Sequence, residues 1–471
     1  DYSPTGTELV TNGDFSATGS NLVTNPNFTD TGSELNIADG SSPEPNHFRF
    51  VDYGTNTIAY DGSGVTTITY VDDDRGGLHY FNDGYNLSSP TLTIGKSYKI
   101  EITCKVNSGT YGIQTASTIG GYNVTGLSNT DYETHTIYAY VDSISGNWMR
   151  IDELSSGQVI PINDVSIKEL GEDWTAYTSG TSTVEYNSSG ANLLIDSGAN
   201  GGSNVGVYQE NIFELGKSYK IVLSMKATAS FDAEVVESNL AATENVIGTV
   251  SLTTSFQDFT FYYVGTGTFD LFIHRLYNGG GASQTISIQS VVVQELGEGW
   301  IDDGTPLKAL TFDANGLKIT SVNGTGNNNR FYQSTPTTED DKSYKLTYTI
   351  HAASLTGSNK LQYYNGGSYQ TLPTAITGTP QTLYFTREGT SDYLNIRLFS
   401  LDGSTTDTVT ISSISVEEMA VNKIFPELAP PDIDAPYVVY SVVSNSPSET
   451  KNTNGDIDTA SIEVYGFQDT Y

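Results

Sequence analysis

The sequence predicts an all-β protein: three tandem antiparallel β-sandwiches followed by a small β-rich C-terminal assembly segment. Three observations predict it. The tetrapeptide Lys-Ser-Tyr-Lys stands at 96–99, 217–220 and 342–345, so one pattern recurs at steps of 121 and 125 residues. Each copy opens a run in which apolar and polar residues alternate, the period of a strand with one buried face. The composition, with 47 Gly and 31 Tyr in 471 residues and Thr, Ser and Asn between short apolar runs, lacks the long amphipathic stretches of helices.

The steps are domain-sized, far beyond the roughly 20 to 50 residues of a solenoid repeat. In the first copy Tyr98, Ile100, Ile102 and Cys104 share the face predicted to be buried, and Lys99, Glu101, Thr103 and Lys105 share the other. Tyr219, Ile221, Leu223 and Met225 repeat the buried set in the second copy, and Tyr344, Leu346, Tyr348 and Ile350 in the third. A second marker closes each unit at residues 165–170, 291–296 and 414–419. The first two closings run directly into Gly171 to Trp174 and Gly297 to Trp300, which leaves almost no linker. The predicted divisions are therefore an N-terminal extension over 1–19, sandwiches over 20–170, 171–296 and 297–419, and a C-terminal segment over 420–471.

The opening residues contain a smaller duplication, 9–15 and 22–28. The first unit then carries the most irregular insert, with Asp72, Asp73 and Asp74 in succession and Tyr80, Phe81 and Tyr85 after it. Such a run can offer hard oxygen ligands to calcium or polar groups to a sugar. Adjacent side chains on an extended chain point apart, however, which favours a solvated turn. In the later units, Gly/Asn-rich clusters at 200–204, 278–281 and 323–329 mark turns, and residues 313–316 read as the turn of a hairpin. Phe331, Tyr332, Tyr363, Tyr364 and Tyr369 could form a platform on which sugar rings stack. Core and cross-strand packing is the preferred reading, since no exposed Trp accompanies them.

Residues 9–15, Leu-Val-Thr-Asn-Gly-Asp-Phe, together with 161–167, Pro-Ile-Asn-Asp-Val-Ser-Ile, resemble carbohydrate-binding-module jelly rolls with a galactose-binding-like sandwich. The resemblance spans about residues 7–419, and units of this look also occur as appendages on phage tail and fibre proteins. It implies jelly-roll-like sandwiches and glycan as the ligand class. In that family a structural calcium is often held between the opening strand and an Asp of the closing strand, which places Asp164 as the implied metal ligand. Ser290 and Ser413 stand at the corresponding places, so the implied ion belongs to the first sandwich alone. Beyond 419, Ile424-Phe425-Pro426, the run 435–444 and the run 459–466 are similar to strands of the tail-completion, or tail-terminator, proteins of long-tailed phages.

These resemblances imply a non-enzymatic virion structural protein of a phage tail or neck. It would oligomerise with its own copies through the C-terminal segment, contact other tail or neck proteins, and hold host surface glycans on outward sandwiches. A glycan-binding adhesin or tail-fibre receptor-binding protein is the alternative, and a bacterial surface adhesin fragment the second.

Charge narrows the partners. A net charge of −34 and an isoelectric point near 4.2 argue against binding the phosphate backbone of nucleic acid and against anionic membranes. The single cysteine, Cys104, allows no intrachain disulfide and stands at a core position. No run of about 18 apolar residues marks a membrane span, and no signal segment opens the chain. The missing initiator Met suggests either processing or a longer product. The five histidines, His47, His79, His135, His274 and His351, form no metal-ligand pair at short spacing. With no nucleophile elbow, phosphate loop or dinucleotide fingerprint either, catalysis is not expected, nor any cofactor besides that calcium.

Overall fold

The computed structural model describes most of residues 92–419 with side chains. The exceptions are single positions and the loops at 118–119, 144–148, 153–156, 196–204, 239–243, 276–282, 303–309, 321–327, 334–337, 390–393 and 400–406. It describes the strands between 18 and 80 and between 424 and 467 by their backbone. The described chain is all-β, and its strands form three pairs of sheets with one connectivity repeated three times.

In the second pair, one sheet runs Thr183–Asn187, Gly190–Ile195, Gln284–Leu296, Ser218–Ala227, Gln257–Val264. Its partner sheet runs Thr175–Tyr177, Gly206–Phe213, Phe269–Arg275, Phe231–Ser238, Glu244–Leu252. The first and third pairs follow the same order with strands ten places earlier and later in the chain. Each pair encloses its own hydrophobic cluster drawn from both sheets. The alternation read from sequence holds: the four inward residues after each Lys-Ser-Tyr-Lys start, from Tyr98 to Cys104, Tyr219 to Met225 and Tyr344 to Ile350, are all at most 1% exposed. Burying each such aliphatic side chain contributes about 1.5–3 kcal/mol, which ties every repeat to its own core.

The recurring tetrapeptide is a structural device, and its first three positions each have a task. Its strand lies beside the closing strand at the centre of a sheet, so that Tyr98, Tyr219 and Tyr344 face Glu169, Glu295 and Glu418. The first lysine reaches across to that glutamate: Lys96 to Glu169 at 2.7 Å, Lys217 to Glu295 at 3.0 Å and Lys342 to Glu418 at 2.9 Å. Each tyrosine ring enters the core. Its hydroxyl accepts a backbone N–H from the preceding turn, Thr93 at 2.9 Å, Glu214 at 2.8 Å and Glu339 at 2.7 Å. A buried phenol thus finds the partner it needs while fixing the turn that feeds its own strand.

The serine holds the next unit. Ser97 Oγ accepts the backbone N–H of Tyr186 at 2.9 Å, and Ser218 Oγ accepts that of Phe312 at 3.0 Å. Between units the chain makes the same tight turn twice: Trp174 N–H donates to Gly171 O and Trp300 N–H to Gly297 O, each at 3.0 Å. The tryptophans then lead straight into Thr175–Tyr177 and Ile301–Asp302, as the short spacing predicted.

At the N-terminal side, Thr18–Asn21 pairs with Gln284–Leu296, a strand of the second pair. Strands Tyr437–Asn445 and Ala460–Phe467 pair antiparallel, as the sequence suggested. Ile424–Pro426 joins them as a third strand, parallel to Tyr437–Asn445. Among the described residues, no helix is long and apolar enough to cross a membrane.

Candidate functional site

The outer sheet of the third pair runs Ile301–Asp302, Asn328–Tyr332, Asn395–Phe399, Lys360–Tyr364, Tyr369–Leu372. Leu361, Tyr363, Ile396 and Leu398 fill the core from this sheet. By the period of two, Gln362, Tyr364, Arg397 and Phe399 stand on the opposite face. Register brings them together: Gln362 lies across from Arg397, and Tyr364 across from Tyr369 on one side and Asn395 on the other.

The face is organised around Arg397. Its guanidinium carbon lies 3.3 Å from the Tyr369 ring centroid and 4.7 Å from that of Phe399. Its Nε donates to Gln362 Oε1 at 3.0 Å, which fixes the plane of the guanidinium. Tyr364 and Tyr369 sit 5.0 Å apart at an interplanar angle of 49°. Burial, and secondly the positive charge of Arg330, push the Arg397 pKa below its ordinary value. Asn395, 8% exposed, keeps its Oδ1 buried without a hydrogen-bond partner. Aromatic surface bordered by fixed donors and acceptors is what a polyhydroxylated ring needs, one side apolar and the edge polar.

The second pair presents a related face. Leu271 and Ile273 point into the core, so Phe272 and His274 lie on the outer side of their strand. Tyr177 and Tyr208 meet the Phe272 ring edge-on at 5.5 and 6.4 Å, and His274 stacks on it at 4.6 Å. A Cβ at Gly206 would lie 2.5 Å from Phe272 Cε2 and 2.8 Å from His274 Cβ, so only glycine lets these rings settle on the sheet. His274 Nδ1 lies 2.8 Å from Arg275 O, which makes it the donor nitrogen. Nε2 is buried without a hydrogen-bond partner and lies 3.8 Å from Glu234 Oε2.

The five aromatics singled out from sequence divide between the two sides of the sheet. Phe331 and Tyr363 are core residues, 0% and 6% exposed, as the packing reading held. Tyr332, Tyr364 and Tyr369 are only partly buried, and the last two border the outer face. Asp164 lies in Val159–Glu169 across from Thr103, just past a bulge. Ser290 across from Ser224 and Ser413 across from Thr349 occupy the same place in their sheets, as aligned from sequence. The side chain of Asp164 lies outside the described residues, as do the aspartates at 72–74 and the duplicated segments at 9–15 and 22–28. Among the described residues no three His, Cys, Asp or Glu side chains converge as a metal site. Sequence reasoning missed Arg397, Gln362, Phe272 and Glu234. The signal was the polar and aromatic parity of 395–399, Asn-Ile-Arg-Leu-Phe, whose odd positions all face out.

Cys104 and His135 do come together, inside the first core. The Tyr111 hydroxyl lies 3.3 Å from Cys104 Sγ and 2.8 Å from His135 Nε2, and donates to Asn129 Oδ1 at 2.6 Å. Burial pushes the thiol up to about 11 and lowers the imidazole pKa, the reverse of the shifts that arm a cysteine nucleophile. The network serves the fold.

No family profile matches the chain, and no curated protein matches it. Among solved structures it is similar to the N-terminal cellulose-binding domain of Cellulomonas fimi β-1,4-glucanase C, with 16% identity over 27% of this chain and 91% of that one, TM-score 0.23. A tandem CBM22 domain structure from Paenibacillus barcinonensis shares 9% identity over 59% of this chain and 99% of its own, TM-score 0.22. A structure of Sulfolobus turreted icosahedral virus shares 14% identity over 80% of this chain and 91% of its own, TM-score 0.17. The solved structures that the chain is similar to thus include carbohydrate-binding modules and viral triple jelly rolls.

Proposed function

We propose that the chain is a non-enzymatic virion protein of a phage tail or neck. It holds host-surface glycans on the outer sheets of its second and third sandwiches and assembles with its own copies through residues 420–471. The observation that carries the glycan reading is the third outer face, where Tyr369 and Phe399 lie against an arginine held by Gln362, and Tyr364 lies beside Tyr369. Assembly is supported by the three-stranded C-terminal sheet, which ends on Ile424–Pro426 at one side and Ala460–Phe467 at the other. Such edges offer backbone groups to a neighbouring copy, and a head-to-tail contact that closes makes a ring.

A glycan array probed with the intact chain and with Tyr364→Ala and Tyr369→Ala tests the first part. Signal on the intact chain that both variants lose supports it, and an array blank for the intact chain rejects it. The mass of the intact chain in solution, beside that of a version ending at Met419, tests the second. Monomers in both cases at micromolar concentration reject it. A structural calcium at Asp164 belongs to the same reading for the first sandwich only, and melting unchanged by EDTA removes it.

A further inference from the structure

One row of polar residues crosses the outer sheet at the same place in all three sandwiches. The fourth strand of that sheet is Tyr111–Thr115 in the first, Phe231–Ser238 in the second and Lys360–Tyr364 in the third. On it Gln114 lies across from Arg150 on one side and Asn123 on the other. Glu234 lies likewise between His274 and Thr249, and Gln362 between Arg397 and Thr371. Gln114, Glu234 and Gln362 are all half-buried, and Asn123, Thr249 and Thr371 are all exposed. Their strand neighbours Ile113, Val235 and Leu361 belong to the three cores, so the row stands on the side away from them.

The pairs beside the row have nothing in common. They are Gly112 with Asp152 in the first sandwich, Val236 with Phe272 in the second, and Lys360 with Phe399 and Tyr364 with Asn395 in the third. Sheet stability does not require the constancy of the row, because cross-strand pairs of many kinds stabilise a sheet to a similar degree. Its chemistry is that of hydrogen bonding. The row carries an arginine in the first and third sandwiches but a carboxylate in the second, so no one charge is shared. Gln362 orients Arg397 through a 3.0 Å bond, and a carboxamide with two lone pairs and an NH2 group can serve a further partner at the same time. Neighbouring strands lie about 4.8 Å apart, so the row spreads donors and acceptors over roughly 10 Å, about the reach of two sugar rings.

We infer that each sandwich carries one site for a neutral, hydroxyl-rich saccharide at this row, so that the first sandwich also binds glycan, at Gln114 and Asn123. This rests on the glycan reading above and adds to it a third site and a ligand class.

Equilibrium dialysis of the intact chain against labelled cellotetraose, xylotetraose, galactotetraose and mannotetraose tests this. The expected result is three bound molecules of one tetrasaccharide per chain. Gln114→Ala, Asn123→Ala, Glu234→Ala and Gln362→Ala each lower that number to two, and the triple variant at 114, 234 and 362 binds none. Asn123 is exposed, so Asn123→Ala keeps the melting temperature and separates loss of the site from loss of the fold. One or two molecules per chain, unchanged in Gln114→Ala, overturn the inference and leave the glycan reading standing. Three molecules that neither Gln114→Ala nor Asn123→Ala reduces also overturn it. A loss in Gln114→Ala that comes with a lower melting temperature, while Asn123→Ala still binds three, assigns the row to the fold and overturns it as well. No binding of any of the four overturns both.

Discussion

Ser97 Oγ and the backbone nitrogen of Tyr186 meet at 2.9 Å across 89 residues of sequence, and Ser218 repeats the contact with Phe312 at 3.0 Å. Each serine belongs to the core sheet of one sandwich, and each acceptor bond is spent on the first hairpin of the next. Replacing Ser97 by Ala leaves the Tyr186 N–H without its acceptor, at a cost of about 1–3 kcal/mol. The expected outcome in scanning calorimetry is a lower and less cooperative transition for the first two sandwiches. Ser218→Ala does the same for the second and third. An unchanged thermogram for both variants contradicts the role given to the serine.

Gly171 and Gly297 hold positive φ angles of 75° and 80°, and a Cβ on either would come within 2.5 and 2.3 Å of the rings of Tyr186 and Phe312. Gly126 has nearly the same φ, 74°, with nothing within 4 Å. Gly126→Ala is therefore expected to cost only the left-handed penalty of about 1–2 kcal/mol. Gly171→Ala and Gly297→Ala cost measurably more, because a packed ring must also move. Chemical denaturation midpoints rank the three, and equal losses would show that the ring contact is unimportant.

Ile221 and Leu346 are fully buried in the second and third cores. An Asp at either place puts an unpaired charge in an apolar cluster, a change expected to exceed about 4 kcal/mol and to unfold its own sandwich. Hydrogen exchange should show protection lost over that cluster and kept in the other two. Uniform loss across the chain would mean that the cores do not fold independently.

Cys104 is fully buried, and burial pushes its pKa to about 11. The shift is upward, so the thiol stays protonated at pH 8 in the folded chain, while an exposed thiol titrates near 8.5. Alkylation at pH 8 is expected to be negligible until urea opens the first core, and then rapid. Prompt labelling of the native chain would place Cys104 outside the core.

Much of the fold was legible because strand parity is written locally. Tyr98 to Cys104 and their counterparts alternate so cleanly that the buried face could be named outright, and the closings running into 171–174 and 297–300 showed that almost no linker separates the units. The candidate face was harder to read. Phe331 and Tyr332 are neighbours, as are Tyr363 and Tyr364, so in each pair one ring goes inward and one outward whichever register the strand takes. Only pairing with 395–399 decides which, and that pairing spans more than local sequence shows. The same holds for Ser97, whose partner lies on the next unit.

Each of the first two sandwiches ends on a turn that positions its successor, and each carries the serine that receives it. A copy of about 120 residues inserted in frame at such a joint would bring along both halves of its attachment, the socket and the plug. Lengthening this protein by gene duplication thus requires no newly evolved interface, only loops free to diverge. The contrast between an arginine-lined third face and a histidine-glutamate second face is what such divergence leaves behind.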